Sequence, residues 1–204
     1  MPMRRMKRVA AAIGAYAAHP DPRASIANTV ALVIVSNQPF YPLYLYWVVS
    51  PVVTPSYVTF LSTPFFAAVP VVMRRSAILG RSLLLVAGIG NTLLCRAAFG
   101  PRSGVEVFLF PCLMLAMMLF RRTERLFALG FAALAFAAYL LPVAILAAPI
   151  HLYGPDEYAV LQRLNFLSAA SLTALIGWLF VGRLDTNSRD HEPAASARRK
   201  WRIR

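Results

Sequence analysis

The chain contains 204 residues, of which 59% are hydrophobic and 14% are charged, and its mean hydropathy is +0.60. Soluble domains carry about 25% charged residues, so this composition excludes a water-soluble globular domain and predicts an all-α, polytopic membrane protein. A net charge of +13 would point to nucleic acid as the partner of a soluble protein. In a membrane protein it indicates one basic face instead, and we expect no nucleic-acid partner.

Residues 1–25 form a basic N-terminal arm, which we predict to be cytoplasmic. Four cations precede an alanine-rich run over residues 9–18. This run is too short and too alanine-rich for a typical signal peptide. Two interpretations stay open, an interfacial helix with its arginines on anionic lipid head groups or a disordered arm. In both cases we expect contacts with lipid or a partner from Arg4, Arg5 and Arg8.

Six apolar stretches follow in chain order, and each is interpreted as a membrane-spanning helix. A helix needs about 20 residues to cross the hydrocarbon core, within a range of about 17–25. The first, third, fifth and sixth stretches meet this length, whereas the second and fourth are short. The six predicted spans are residues 26–49, 57–72, 77–98, 105–120, 126–148 and 158–181.

The positions of arginine and lysine predict the number of crossings and the orientation. With six spans and the N-terminus inside, 18 of the 21 cations fall on the cytoplasmic side. Five or seven spans would scatter the arginines over both sides, against the positive-inside bias. We therefore predict a six-helix bundle in a bacterial cytoplasmic (inner) membrane, with both termini inside. The three outer cations are Arg96, Arg102 and Arg163.

The first two spans are rich in proline, which removes a backbone donor and kinks a helix. Around Asn37-Gln38-Pro39 the polar side chains are placed to satisfy the carbonyls that a kink sets free. Broken helices also occur in transporters, so a structural kink and a substrate site both stay open. An aromatic cluster at the outer end of the first span is typical of an interfacial belt, or it walls a ligand pocket. Its members are Phe40, Tyr41, Tyr44, Tyr46 and Trp47.

Charged side chains at membrane depth are costly unless they are paired, and the candidates here map to the outer side. Glu106 begins the fourth span, and either Arg163 or Arg96 is placed to form an ion pair with it. One interpretation is a structural clamp between helix ends. The other is a polar pocket open to the outside, with His151 on the last outer loop as a pH-sensitive part of its lid.

The sequence contains no motif for hydrolytic, nucleotide-binding or zinc chemistry. Its three histidines are too dispersed to clamp a haem. We therefore predict no catalytic residue, no cofactor and no metal site. Cys95 and Cys112 lie in apolar runs and are interpreted as buried free thiols. A disulfide near the outer face is the alternative.

The C-terminal segment, residues 183–204, is polar and basic and contains several poor helix formers. We interpret it as a disordered cytoplasmic tail. Its charge predicts contact with anionic lipid, and docking of a partner is the alternative. The residues expected to make these contacts are Arg198, Arg199 and Lys200.

Three neighbouring segments carry a family resemblance. A turn rich in glycine and proline spans residues 99–104, a short span opens with Val105-Glu106-Val107-Phe108-Leu109-Phe110-Pro111, and a basic turn follows at Arg121-Arg122-Thr123-Glu124-Arg125. These features resemble the six-helix membrane modules that precede class III adenylate cyclase domains and some histidine kinases, over about residues 26–182. The resemblance implies a module that anchors, supports dimerisation and receives signals. It carries over no catalytic residue, because a polar tail follows the sixth span here in place of an enzyme domain.

These observations favour a non-enzymatic membrane module that acts as a sensor-like or scaffold subunit and binds a partner membrane protein or a second copy. A small transporter or channel with a polar site near the outer face is an alternative of another class, and it rests on the proline-broken spans. An accessory subunit of a larger membrane complex is the third interpretation.

Overall fold

The computed structural model of the chain describes the backbone of residues 2–141 and 148–200, and side chains over residues 7–8, 10–141 and 148–182. Every regular element in these ranges is helical. The α-helices are α1 (Pro2–Ala17), α2 (Pro22–Asn37), α3 (Tyr41–Val48), α4 (Thr63–Arg75), α5 (Ala77–Phe99), α6 (Leu109–Leu119), α7 (Arg125–Leu140) and α8 (Pro155–Lys200). Short 3-10 helices lie between them at Gln38–Phe40, Thr54–Ser62, Pro101–Ser103, Val105–Phe108 and Arg122–Glu124.

Four helical stretches are long and apolar enough to cross a membrane. They match the predicted second, third, fifth and sixth spans, although residues 142–147 of the fifth lie outside the described part of the chain. The prediction of an all-α membrane protein is therefore confirmed. The four stretches are Thr54–Arg75, Ala77–Phe99, Arg122–Leu140 and Pro155–Gly182.

The first predicted span, residues 26–49, is a kinked pair of helices, because α2 has 16 residues and α3 has eight. Proline at positions 39 and 42 removes two backbone donors at the junction. Asn37, Gln38 and Phe40 nevertheless keep right-handed helical dihedral angles, so the break is a tightened turn. The fourth predicted span, residues 105–120, is a short apolar helix at Val105–Leu119.

The 3-10 helix Thr54–Ser62 follows from a repeat of hydroxyl residues. A 3-10 helix has three residues per turn, so positions three apart share one face. Ser56, Thr59 and Ser62 are three apart and all buried. The hydroxyl of each lies 2.6–2.9 Å from the carbonyl oxygen three residues earlier. We call these three residues the hydroxyl stripe, and it places a row of polar groups at membrane depth.

Helices α4 and α5 form the tightest hairpin of the fold. Ser76 is extended between them, and its hydroxyl accepts a hydrogen bond from the N–H of Leu79 at the start of α5. A Cβ atom at Gly80 would lie 2.7 Å from the Cα of Met73. Glycine therefore permits this approach of the two backbones, and the core of the bundle packs around it. The fully buried residues of this core include Phe66, Val69, Met73, Leu84 and Leu85.

A buried ion pair joins α5 to the turn between α6 and α7. The side chain of Arg81 is 1% exposed, and two of its nitrogens each lie 3.0 Å from a carboxylate oxygen of Glu124. The same guanidinium donates to the carbonyl oxygens of Leu119 and Ala77 and lies over the ring of Phe120. The buried charge is therefore compensated by groups inside the protein, as burial of a cation requires.

Asp21 extends this network to the start of α2. Its carboxylate lies 3.0 Å from the guanidinium of Arg121 and accepts a hydrogen bond from the N–H of Arg23. Burial alone would raise the pKa of the Asp21 carboxyl, but the Arg23 N–H and the Arg121 guanidinium together hold that pKa below its ordinary value. The N-terminal region is thus tied to the same end of the bundle as Arg81.

The N-terminal arm contains helix α1, and its last turn contacts α4. The hydroxyl of Tyr16 donates to the carbonyl oxygen of Ala67, and Arg74 donates to the carbonyl oxygen of Tyr16. The Arg74 guanidinium also lies 5.0 Å from the centre of the Tyr16 ring. These contacts place α1 beside the basic end of α4.

Helix α8 is the longest element and has 46 residues. Residues 183–200, for which the sequence predicts a disordered tail, are part of this helix. Alanine and arginine are strong helix formers and fill most of positions 194–199, which favours a helix there. The side chains of Arg198, Arg199 and Lys200 lie outside the described ones, as do residues 201–204.

We predict that Glu124→Gln lowers Tm in detergent far more than Asp156→Asn does. The first change leaves the buried Arg81 charge without its carboxylate, and breaking one side of a buried ion pair costs about 3–5 kcal/mol. Asp156 is exposed, so its charge contributes at most about 1 kcal/mol at a helix start. Equal losses in Tm for the two variants would contradict this role of Arg81.

Candidate functional site

A cavity of about 660 Å3 lies inside the bundle between α2, α3, α5, α6 and α8. Most of its wall is apolar, and one side carries amide and hydroxyl groups. None of the described residues that line it is acidic, basic or histidine. The cavity is therefore a mainly apolar compartment with one polar side, the composition that is typical of small-molecule sites.

The polar side of the cavity begins at the kink between α2 and α3. The Gln38 amide nitrogen donates to the carbonyl oxygen of Thr59 and to the hydroxyl of Ser62. The Gln38 amide oxygen accepts from the hydroxyl of Thr63. Gln38 thus satisfies groups of the neighbouring 3-10 helix, whereas the sequence predicted that it would satisfy carbonyls of its own kink.

Asn91 continues the polar side from the middle of α5. Its amide group lies 2.9 Å from the hydroxyl of Ser62 and lines the cavity beside Thr92. The contact is made by the amide oxygen Oδ1, which also lies 4.0 Å from the sulfur of Cys95. It therefore uses neither of the two N–H donors that a primary amide carries. No described residue accepts a hydrogen bond from Nδ2 of Asn91, so this lining residue retains at least one free N–H. The sequence signal for Asn91 is a single amide inside an apolar run.

The rim of the cavity lies between α3 and α8. Phe40 is 49% exposed, Tyr44 is 37% exposed and Leu167 is 63% exposed, and all three line the cavity. These side chains are apolar or aromatic and α8 is one of the membrane-capable helices. The gap between α3 and α8 is therefore bordered by exposed apolar and aromatic side chains.

Both cysteines line this cavity, and both are free. Cys95 lies on α5 and Cys112 on α6, and both side chains are buried. A Cβ atom at Gly88 would lie 2.9 Å from the sulfur of Cys112, so the small glycine leaves room for that thiol. The prediction of buried free thiols is confirmed, and the alternative of a disulfide is wrong.

At the end of the bundle opposite Arg81, the structure contains one of the two ion pairs that the sequence allows. Nε of Arg96 lies 2.9 Å from Oε1 of Glu106. The N–H does not point along this line, so the contact is an ion pair and not a well-aligned hydrogen bond. Arg96 also places Nη1 within 3.0–3.1 Å of the carbonyl oxygens at the end of α7, those of Ala138, Tyr139 and Leu141. A cation there compensates the negative helix end.

The other two predicted members of the outer cluster lie apart from this ion pair. Arg163 is exposed on α8 and makes no ion pair within the described part of the chain. His151 packs edge-on against Tyr153, with 4.7 Å between ring centres. Four polar residues predicted as one outer pocket therefore separate into an Arg96–Glu106 clamp, an exposed cation and a histidine in an aromatic contact.

Neighbours of Arg163 on α8 make the contacts that Arg163 does not. Asn165 is fully buried, accepts a hydrogen bond from the hydroxyl of Tyr41 and donates to the carbonyl oxygen of Ser103. Gln162 donates to the carbonyl oxygen of Arg102. The glycine-containing turn at residues 100–104 is thus held against α8 through its backbone.

The remaining predicted contact residues lie at the chain ends. Arg8 is exposed on α1. The side chains of Arg4 and Arg5 lie outside the described ones.

No family model matches the sequence, and no curated protein matches it either.

We predict that Glu106→Gln lowers Tm in detergent, whereas Arg163→Gln leaves Tm within about one degree of the unsubstituted protein. Loss of the Glu106 charge leaves Arg96, which is 13% exposed, without a carboxylate at membrane depth. Arg163 is exposed and unpaired with acid, so its charge contributes little. A larger effect of the Arg163 variant would favour the alternative ion pair.

Proposed function

We propose that this chain is a non-enzymatic, sensor-like membrane subunit that receives a ligand in the cavity and passes the change to a partner through α8. The observation that carries the proposal is the placement of α8. It lines the cavity through Leu167, Ser168 and Leu172, and it continues as one helix to Lys200 with a backbone donor missing at Pro193. A shift of α8 at the cavity would therefore move the basic segment at its far end.

We further propose six crossings with both termini inside a bacterial cytoplasmic membrane. The kinked pair α2–α3 supplies the first crossing and Val105–Leu119 the short fourth one. Support comes from the grouping of charges, since Asp21, Arg74, Arg81 and Arg121 meet at one end through the contacts described above. Arginine is concentrated at that end, as the positive-inside bias requires.

The orientation is tested with a membrane-impermeant maleimide on intact cells. We expect Asp156→Cys to react from outside, because it lies in the proposed outer segment. Thr123→Cys lies in the turn before α7 and should react only after the cells are permeabilised. The buried Cys95 and Cys112 give the background, measured on the unsubstituted protein. Labelling of Thr123→Cys in intact cells would overturn the orientation.

The sensor-like role is tested by purification from membranes in a mild detergent. We expect the full chain to retain a partner membrane protein or a second copy. Neutralising the end of α8 with Arg198→Gln, Arg199→Gln and Lys200→Gln should release a partner that docks there. The control neutralises the exposed Arg102 and Arg163 on the proposed outer side in the same way and should leave the partner bound. A lone monomer that retains no protein would contradict the proposal.

A small transporter is the second candidate, because the cavity lies beside the kink between α2 and α3 and beside the 3-10 helix Thr54–Ser62. Discontinuous helices next to a central cavity are typical of transporters. The uncharged wall would then select uncharged solutes. Flux of such solutes into liposomes that contain the protein would favour this candidate over the sensor-like subunit.

A further inference from the structure

We propose that the cavity binds an uncharged lipid whose head carries carbonyl oxygens. The head would lie against Asn91 and Ser168, and the tail would leave through the gap between α3 and α8. The inference deepens the proposed function, since it names the chemical class of the ligand that the sensor-like subunit receives.

The route into the cavity favours a molecule that comes from the bilayer. The rim is formed by Phe40, Tyr44 and Leu167, whose exposed apolar and aromatic side chains suit contact with lipid. A water-soluble solute would have to cross the hydrocarbon core before reaching this gap. A lipid reaches it by lateral diffusion, and its tail can remain among other tails while its head enters.

The absence of charge in the wall decides the kind of head group. No lysine, arginine or histidine is among the described lining residues, so a phosphate or carboxylate would enter without a counter-ion. An unpaired charge in such surroundings costs far more than one hydrogen bond returns. The wall also contains no carboxylate for a cationic head. The chemistry of the described lining therefore selects uncharged heads.

The hydrogen-bonding groups in the wall include donors that a head with acceptor oxygens would satisfy. Asn91 retains at least one free N–H, as shown above. Ser168 and Ser171 line the cavity from α8, and their hydroxyls make no hydrogen bond to another described residue. The Gln38 amide is already used by Thr59, Ser62 and Thr63. The wall thus offers unused donors, which carbonyl oxygens on a ligand would satisfy.

The size and shape of the cavity fit such a head with part of its tail. A volume of about 660 Å3 lies within the range of about 300–1,000 Å3 that holds drug-sized molecules. Aromatic side chains of Phe40, Tyr41, Tyr44 and Phe108 line one part of it. Two sources provide carbonyl oxygens on an uncharged lipid, a quinone ring and an acylglycerol ester.

The test uses the full chain in nanodiscs of a single phosphatidylcholine, with three probes. A decyl-substituted benzoquinone and dioctanoylglycerol represent the two sources, and decanoate supplies a similar tail with an anionic head. The readouts are Tm and the rate at which N-ethylmaleimide alkylates Cys95 and Cys112, which line the cavity. At about ten times Kd the unliganded fraction falls about tenfold, so we expect alkylation to slow about tenfold and Tm to rise.

A matched pair of variants places the effect in the cavity. Ser168→Trp fills the cavity from α8 and should abolish protection of the thiols. Ala170→Trp adds the same side chain to an exposed position of the same helix and should leave protection unchanged. Thiol protection in the unsubstituted chain needs no variant, so the inference stays testable even where Ser168→Trp lowers the yield of folded protein.

Protection by the quinone, the acylglycerol or both, without protection by decanoate, supports the inference and identifies the source. Equal or stronger protection by decanoate overturns it, as does protection by none of the probes. Protection that survives Ser168→Trp also overturns it. If no probe protects the thiols but purification retains a partner, the lipid ligand is rejected and the sensor-like role stands. If a probe protects the thiols but purification retains no partner and no second copy, the lipid site stands and the sensor-like role is rejected.

Discussion

The buried charge of Arg81 is the constraint on which the rest of the bundle depends. A guanidinium buried in the protein has no water to solvate it, so its charge must be matched by protein groups. Glu124, the carbonyl oxygens of Leu119 and Ala77, and the ring of Phe120 supply that environment. Together they fix the start of α5 against the turn between α6 and α7. Arg121 and Asp21 carry the same connection to the start of α2.

At the opposite end of the bundle, a second arginine of α5 is likewise paired with a glutamate and with backbone carbonyl oxygens. Arg96 joins Glu106 and the last carbonyls of α7, so α5 is held at both ends to its neighbours. Between the Arg81–Glu124 and Arg96–Glu106 ion pairs, parts of the helices depart from regular α structure. Proline breaks the first predicted span, and the hydroxyl stripe tightens the segment before α4. Their polar groups pair with one another through Gln38 and Asn91, and the space left between them and α8 is the cavity.

This arrangement explains why the cavity, and not the outer polar end, is the centre of the functional proposal. In the Arg81–Glu124 and Arg96–Glu106 ion pairs, each charge is matched by its partner and by carbonyl oxygens near helix ends. Few of these charged groups remain free to bind anything else. The cavity retains unused donors, a rim of exposed apolar and aromatic side chains and one wall formed by a helix that leaves the bundle. A ligand that presses on α8 would act on an element whose far end is basic, while the clamped α5 stays in place.

The sequence by itself determined the all-α membrane class, the bounds of α5 to within a residue, the position of the kink near Pro39 and the buried thiols. Each follows from local properties, namely hydropathy, helix caps and the missing proline donor. The tertiary structure alone decided which polar groups meet. A helix turns by about 100° per residue, so packing determines whether a side chain such as Arg163 faces the bundle or the lipid. For the same reason, Arg96 pairs with Glu106, Arg81 pairs with Glu124, and Asn91 lines a cavity that the one-dimensional pattern does not contain.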